Sequence, residues 1–412
     1  MPATEPTNKS ALLGAFFLAS SWTWVVGMWL PVILVRHFGW PGWVAFAVPN
    51  VAGAMSVGLL YRTRESSEAF VERHRGTMRW FSRVTLALHA FVLTWALSWL
   101  MDSVVSIARV SPTLGATSIP TSTVLTLGIL IALWVGASWF GSRSFRVASI
   151  GAIVVWCASV ACVTLAWFTM GDRSRPPDMS GDAPFTNLAF LAPVLVFGFA
   201  LCPYLDLTIH RARQLTPGRA GDRAFILGFG ALFLAMIVGT LTYTQAWNDS
   251  KSISFYIAAH LALQSGFTIA MHLRALRDTA GSPRELPGST PLLVGMALGI
   301  APSSALAINM LSGTPLIDLL SFDATYRVFM AFYGLLFPTL LWASTTSRRT
   351  DRTTTITALV CVLAAAPFFW LGFLEGRWFW LAPGLLIALL SGPIAGRLPR
   401  PNRSPESGQN AG

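Results

Sequence analysis

The stretch Asn187–Arg213, NLAFLAPVLVFGFALCPYLDLTIHRAR, decides how the rest of the chain is read. It is apolar enough to enter a membrane, yet Pro193, Gly198 and Pro203 interrupt it, and Tyr204, Asp206 and His210 follow the last break. Proline removes a backbone donor and clashes with the preceding turn. Broken backbone is tolerated at membrane depth only where it is buried in protein or lines a water-filled cavity. A carboxylate there is costly and marks an ion, proton or substrate pathway. The stretch therefore predicts a broken membrane helix built around Asp206, with a cavity to face.

The composition agrees. Of 412 residues, 54% are hydrophobic and only 11% charged, where soluble domains carry about 25%. An all-α polytopic membrane protein follows. The net charge of +11 would suggest nucleic acid in a soluble protein. Here no basic run interleaves with aromatics as a single-strand groove requires, and basic residues collect in the loops on one side of a membrane. Cys157, Cys162, Cys202 and Cys361 all fall in apolar segments, without the clustering of a metal site. No P-loop, GxSxG elbow, HExxH or intramembrane carboxylate pair is present, so an enzyme is not expected. An intramembrane transferase would need a pairing such as His89 with Asp102, about 20 Å apart along one helix.

Apolar runs of about 18–25 residues predict twelve spans, near 11–36, 40–61, 80–101, 121–141, 147–170, 186–210, 223–246, 253–273, 291–312, 325–346, 353–374 and 378–396. With the N-terminus cytoplasmic, 21 Lys and Arg fall on the cytoplasmic side and 7 opposite, with Arg83 at a span edge. This bias predicts cytoplasmic N- and C-termini in a bacterial inner membrane. Residues 1–10 and 397–412 read as polar tails, the latter disordered.

Landmarks recur at a near-constant offset. Pro31 to Pro203 and Gly58 to Gly230 are each 172 residues apart, and His89 to His260 is 171. The first span carries Gly27 and Pro31 as the sixth carries Gly198 and Pro203. Two five-helix repeats, 11–180 and 181–346, are predicted, with two additional helices over 347–396. Five spans is an odd number, so the second repeat must be inverted. Inverted repeats with broken helices are a transporter layout in which substrate and ions bind near the midplane, at the breaks.

At these residues the chain resembles the LeuT-type fold of the amino acid–polyamine–organocation superfamily. Ser20–Ser21–Trp22, Gly27, Pro31 and Phe38–Gly39–Trp40 are similar to the first core helix of the sodium:solute symporters, and Gly198, Pro203–Tyr204 and Arg211 to their sixth. The family's extra leading helix is not expected here, as the first span is read from near Ala11. The resemblance implies a small-molecule solute as partner, bound between the two breaks, and a sodium site drawing on hydroxyls of the eighth core helix. Ser265 and Thr268 are the hydroxyls that qualify.

The residues expected near solute are Ser21, Trp22, Gly27, His89, Phe197, Gly198, Tyr204 and Asp206, with Ser265 and Thr268 as the ion pair of hydroxyls. Several have a structural alternative. Asp206 could form a helix-face pair with His210 or Arg213. His89, His260, Asn50 and Asn309 could serve helix–helix hydrogen bonds, and Ser21 and Gly27 close packing. Ser265 and Thr268 could bond back to their own helix. The expected function is an ion-coupled secondary transporter of symporter type, working by alternating access. Its coupling ion would be Na+ or H+, with no other cofactor. The alternative is a non-transporting membrane sensor or complex subunit that keeps a transporter-like fold.

Overall fold

The computed structural model describes residues 8–107, 121–169, 181–244, 254–280, 289–312 and 322–399. Among these there is no strand, and nine helices are long and apolar enough to cross a membrane. The side chains of Asp102 and Asn309, and residues 1–7 and 400–412 of the two tails, lie outside this description. The order is α1 (Asn8–Trp22), α2 (Val25–Leu60), α3 (Arg64–Ile107), α4 (Thr121–Gly141), α5 (Phe145–Thr169), α6 (Phe185–Leu201), a 3-10 turn (Cys202–Leu205), α7 (Leu207–Leu215), α8 (Gly218–Leu227), α9 (Leu234–Gly239), α10 (Phe255–Asp278), α11 (Ser289–Ser312), α12 (Phe322–Ala331), α13 (Phe337–Ser347), α14 (Arg352–Phe369) and α15 (Leu381–Arg397). Single π-helical turns join α8 to α9 (Gly228–Phe233) and α12 to α13 (Phe332–Leu336), and another, Trp370–Leu374, follows α14.

The 36 residues of α2 would stretch about 54 Å at helical rise, far beyond a hydrocarbon core of about 30 Å. Gly39 divides it, with φ 60° and ψ −147° inside the helix. This backbone region is open to glycine and strained for other residues. The turn is pinned from outside, because Asp182 N–H donates to Arg36 O at 3.2 Å and Ala183 N–H to His37 O at 2.8 Å.

Both predicted breaks exist, but the first lies elsewhere than at Gly27 and Pro31. The chain leaves the helix at Thr23–Trp24, with Trp24 extended at φ −85° and ψ 169°. The local run WTWVV is β-branched and aromatic, and such side chains lose rotamer freedom in a helix. Thr23 Oγ1 also donates back to Ala19 O at 2.7 Å, competing for a helical carbonyl. Gly27 and Pro31 sit in regular helix just beyond. The second break falls as expected, with Asp206 extended (φ −84°, ψ 112°) between the 3-10 turn and α7.

Two-thirds of the apolar window of α3 is buried, and more than half of the α6 stretch, against about a quarter for α4 and α5. The former are the centre and the latter the rim, where Val135, Trp139, Val154 and Phe168 face outward on α4 and α5. Loops assigned to one side by charge meet one another. Arg213 reaches Tyr61 O, Gly218 N–H reaches Arg62 O, Arg79 reaches Leu276 O and Arg274 reaches Arg143 O. Opposite them, Arg36 lies near Asp182 and Arg327 reaches Phe373 O. The chain thus has an arginine-rich face and a second face at the other ends of the helices.

The two halves interlock where α2 crosses α6. A Cβ on Gly53 would lie 2.2 Å from Phe199 O and 2.8 Å from Ala200 Cα. Both obstacles are backbone, so the helices would have to separate. Gly53→Leu is expected to cost at least about 2 kcal/mol, at the upper end of overpacking. A drop in the detergent melting temperature measures it, and an unchanged value would show that this crossing is not held as described.

Candidate functional site

The two breaks face each other across a small cavity lined by Trp22, Trp24, Gly27, Asn50, Phe199, Cys202 and Tyr333. Trp22 Nε1–H donates to Asn50 Oδ1 at 2.8 Å, and Trp24 Nε1–H to Ser21 O at 2.8 Å. These bonds fix both indoles at the first break. Trp24 then stands among polar rings, with centroids 5.4 Å from His272, 5.9 Å from Tyr333 and 6.3 Å from His89. Tyr333 belongs to the π-helical turn Phe332–Leu336. Its hydroxyl meets Thr85 Oγ1 at 3.1 Å, and its carbonyl accepts from Cys202 Sγ at 3.2 Å. Gly198 lets this turn approach, since a Cβ there would come within 2.7 Å of the same carbonyl.

Asp206 is fully buried. Its side chain caps α7 by accepting the Thr208 N–H at 2.6 Å on Oδ1, where the helix N-terminus favours negative charge. Oδ2 has no hydrogen-bond partner and faces His272 Nε2 at 3.8 Å, itself fully buried. Both ring nitrogens of His272 lack partners. The helix-face pairing with His210 or Arg213 does not form. His210 Nε2–H donates to Tyr204 O at 3.0 Å while Nδ1 meets Ser67 Oγ, and Arg213 pairs with Asp222 at 2.7 Å. His89 donates Nδ1–H to Thr85 O at 2.7 Å, leaving Nε2 buried without a partner.

Two vestibules flank this centre. One opens at the arginine-rich face and runs past Glu68, Arg75, Arg211 and Arg274 to Leu207, Thr208 and Met271, the chain neighbours of Asp206 and His272. The other opens at the opposite face by His37, Asp323 and Arg327 and runs over apolar side chains to Phe199 and Tyr333. Tyr333, Trp24, His272 and Asp206 lie between them.

The structure gathers Trp22, Gly27, His89 and Asp206 around the breaks, with Ser21 one bond behind Trp24. Gly198 supports the Tyr333 turn. Phe197 instead packs toward Trp342 on α13, and Tyr204 bonds Ser56 on the far side of the 3-10 turn. Ser265 and Thr268 are fully buried and their hydroxyls bond nothing in the protein. His260 lies beside Tyr243, away from the cluster. Sequence reasoning overlooked His272 and Tyr333. A signal for His272 existed, because Ser265, Thr268 and His272 share one face of α10 at i, i+3 and i+7.

No family model and no curated protein sequence matches the chain. Among solved structures, it is similar to a substrate-bound, outward-open Na+-coupled sialic acid symporter, at 14% identity and a TM-score of 0.49 over 95% of this chain and 90% of that one. It is also similar to the inward-facing conformation of Mhp1, at 16% identity and a TM-score of 0.40 over 94% of this chain and 90% of that one.

Proposed function

We propose that the chain is a secondary transporter that moves a small organic solute through the centre between its two broken helices, driven by a cation gradient. The observation that carries this reading is the enclosed Asp206–His272–Trp24–Tyr333 centre with a vestibule on either side of it. Unpaired polar groups this deep in an apolar protein are costly, and a site that exchanges its contents from alternate sides gives them partners. The cavity is walled by Trp22, Trp24, Phe199 and Tyr333 with Asn50 as its amide. That lining suits a solute with an apolar or aromatic face and one hydrogen-bonding edge. The breaks supply free backbone groups at the same depth. Ten spans form the two inverted repeats, 11–180 and 181–346, and two more follow over 347–396, in a bacterial inner membrane with the arginine-rich face cytoplasmic.

The test is thermal unfolding of the purified protein against amino acids, sugars, nucleobases and organic acids, each in sodium chloride and in choline chloride. A bound solute at about 100 times its dissociation constant adds about 2.7 kcal/mol. A stabilising solute that the protein also carries into liposomes is the expected result. A solute that binds without flux would favour a non-transporting sensor.

A further inference from the structure

We propose that the Asp206–His272 pair is the site at which a proton is bound and released during the transport cycle. The proposal rests on the transporter reading and names its coupling ion. Asp206 Oδ2, His272 Nδ1 and His272 Nε2 are three buried polar atoms of one cluster, and none has a partner. Leaving such atoms unpaired is unfavourable in any single state, and Oδ2 and Nε2 stand 3.8 Å apart. An approach of about 1 Å would bring them to ordinary hydrogen-bond distance, and one shared proton would then satisfy both.

The ionisable groups around the pair favour a proton. Among the described residues, His272 is the ionisable side chain within salt-bridge range of Asp206. Around the pair, α3 brings His89, the π-helical turn brings Tyr333, and the 3-10 turn brings Cys202. From α7 come His210, held by Ser67 and the Tyr204 carbonyl, and Arg211, which lines the vestibule. α1, α4 and α5 contain no carboxylate, histidine or tyrosine. In α2, His37 lies out at the face opposite the arginines. The Thr208 hydroxyl adds one neutral oxygen beside Asp206, but one carboxylate oxygen with two imidazole nitrogens remains a poor set for a hard cation, which takes oxygen ligands. No group of three His, Cys, Asp or Glu side chains exists among the described residues to hold a transition metal.

The position suits proton exchange. Thr208, whose N–H caps Asp206, and Met271, beside His272, line the vestibule of the arginine-rich face. Trp24 links His272 to Tyr333, which lines the other vestibule. A proton from water in one vestibule adds to the pair and takes its charge from −1 to 0, and loss to water in the other restores −1. The neutral pair closes the contact between α7 and α10. The charged pair draws water in and opens it.

The experiment is an infrared pH titration of the purified full-length protein, reading the carboxylic acid C=O band, with Asp206→Asn and His272→Gln. Both variants are first checked for wild-type elution and melting. In the difference between wild type and Asp206→Asn, which removes the other carboxyl groups, a band that grows on acidification is expected, with its midpoint moved by about one pH unit or more in His272→Gln. The midpoint should be the same in sodium and choline chloride. A midpoint indifferent to His272→Gln, or one that follows sodium, would overturn the proposal. So would a titrating band that leaves unchanged the labelling of Gln214→Cys, in the vestibule, with Cys157 and Cys162 replaced by alanine. Measured relative to a free thiol at the same pH, because the thiolate is the reacting form, the expected labelling differs severalfold between the two protonation states, and that relative rate becomes independent of pH in Asp206→Asn. None of these readings needs a solute, so their failure is distinct from failure to find one.

Discussion

Arg213→Ala is expected to be the most destabilising single change in the chain. Arg213 is fully buried at the end of α7. Its guanidinium donates to Asp222 Oδ1 at 2.7 Å, Tyr61 O at 2.6 Å, Gly218 O at 3.3 Å and Thr216 O at 3.5 Å. One side chain thus ties α7 to the end of α2 and the start of α8, on the arginine-rich face. Gly221 leaves it room, since a Cβ there would lie 2.1 Å from Nη1. Truncation removes every donor together and leaves Asp222, itself only 18% exposed, with the more distant Arg62 at 3.5 Å. Breaking one side of a buried ion pair costs about 3–5 kcal/mol. Arg213→Lys should recover little, because an ammonium cannot present the same fork of donors. Melting in detergent and the yield of monodisperse protein measure both. A melting point within a degree of wild type for Arg213→Ala would show that the junction is held by apolar packing instead.

What was legible in the sequence was whatever the membrane prices locally. The all-helical, membrane-spanning character of the chain and the break behind Pro203 each depend on residues close together in the chain. The first break was displaced because glycine and proline are conspicuous signals and WTWVV is not. Pro31 costs α2 one hydrogen bond and the helix absorbs it, whereas Thr23 and Trp24 leave the helix altogether. The breaks at Trp24 and Asp206 are 182 positions apart, so the offset of 172 read from the prolines does not align them. His89 and His260, matched by that offset, have different neighbours.

The site was half legible for a related reason. Asp206 could be singled out alone, because one carboxylate in an apolar span is anomalous by itself. Its partner could not. The local candidates, His210 and Arg213, are taken by Ser67, Tyr204 and Asp222, and the group that faces Asp206 comes from α10. Tyr333 was hidden differently, since a π-helical turn inside an apolar run leaves no compositional trace. Its consequence is to present a carbonyl to Cys202 and a hydroxyl to Thr85.

Asp206→Asn is expected to abolish solute uptake while leaving the protein at least as stable as wild type, and the two halves of that result have separate causes. The carboxylate has two duties in the structure. Oδ1 caps α7 through Thr208 N–H, and asparagine caps a helix about as well as aspartate. Oδ2 carries charge into an enclosed site without a bonded partner, and removing a buried charge of that kind relieves a desolvation cost. Stability should hold or rise with asparagine and fall by about 0.5–2 kcal/mol with Asp206→Ala, which loses the cap. Uptake should fail in both, because neither side chain can change its charge as the site opens to one vestibule and then the other. Melting curves and liposome uptake of a solute found in the stability screen read the two effects independently. A merely structural Asp206 would give the opposite pattern: Asp206→Asn would transport normally, and uptake in Asp206→Ala would fall only as far as its folded fraction. Full uptake by a folded Asp206→Asn would remove the carboxylate from the mechanism and leave the enclosed centre to be explained by its aromatic wall alone.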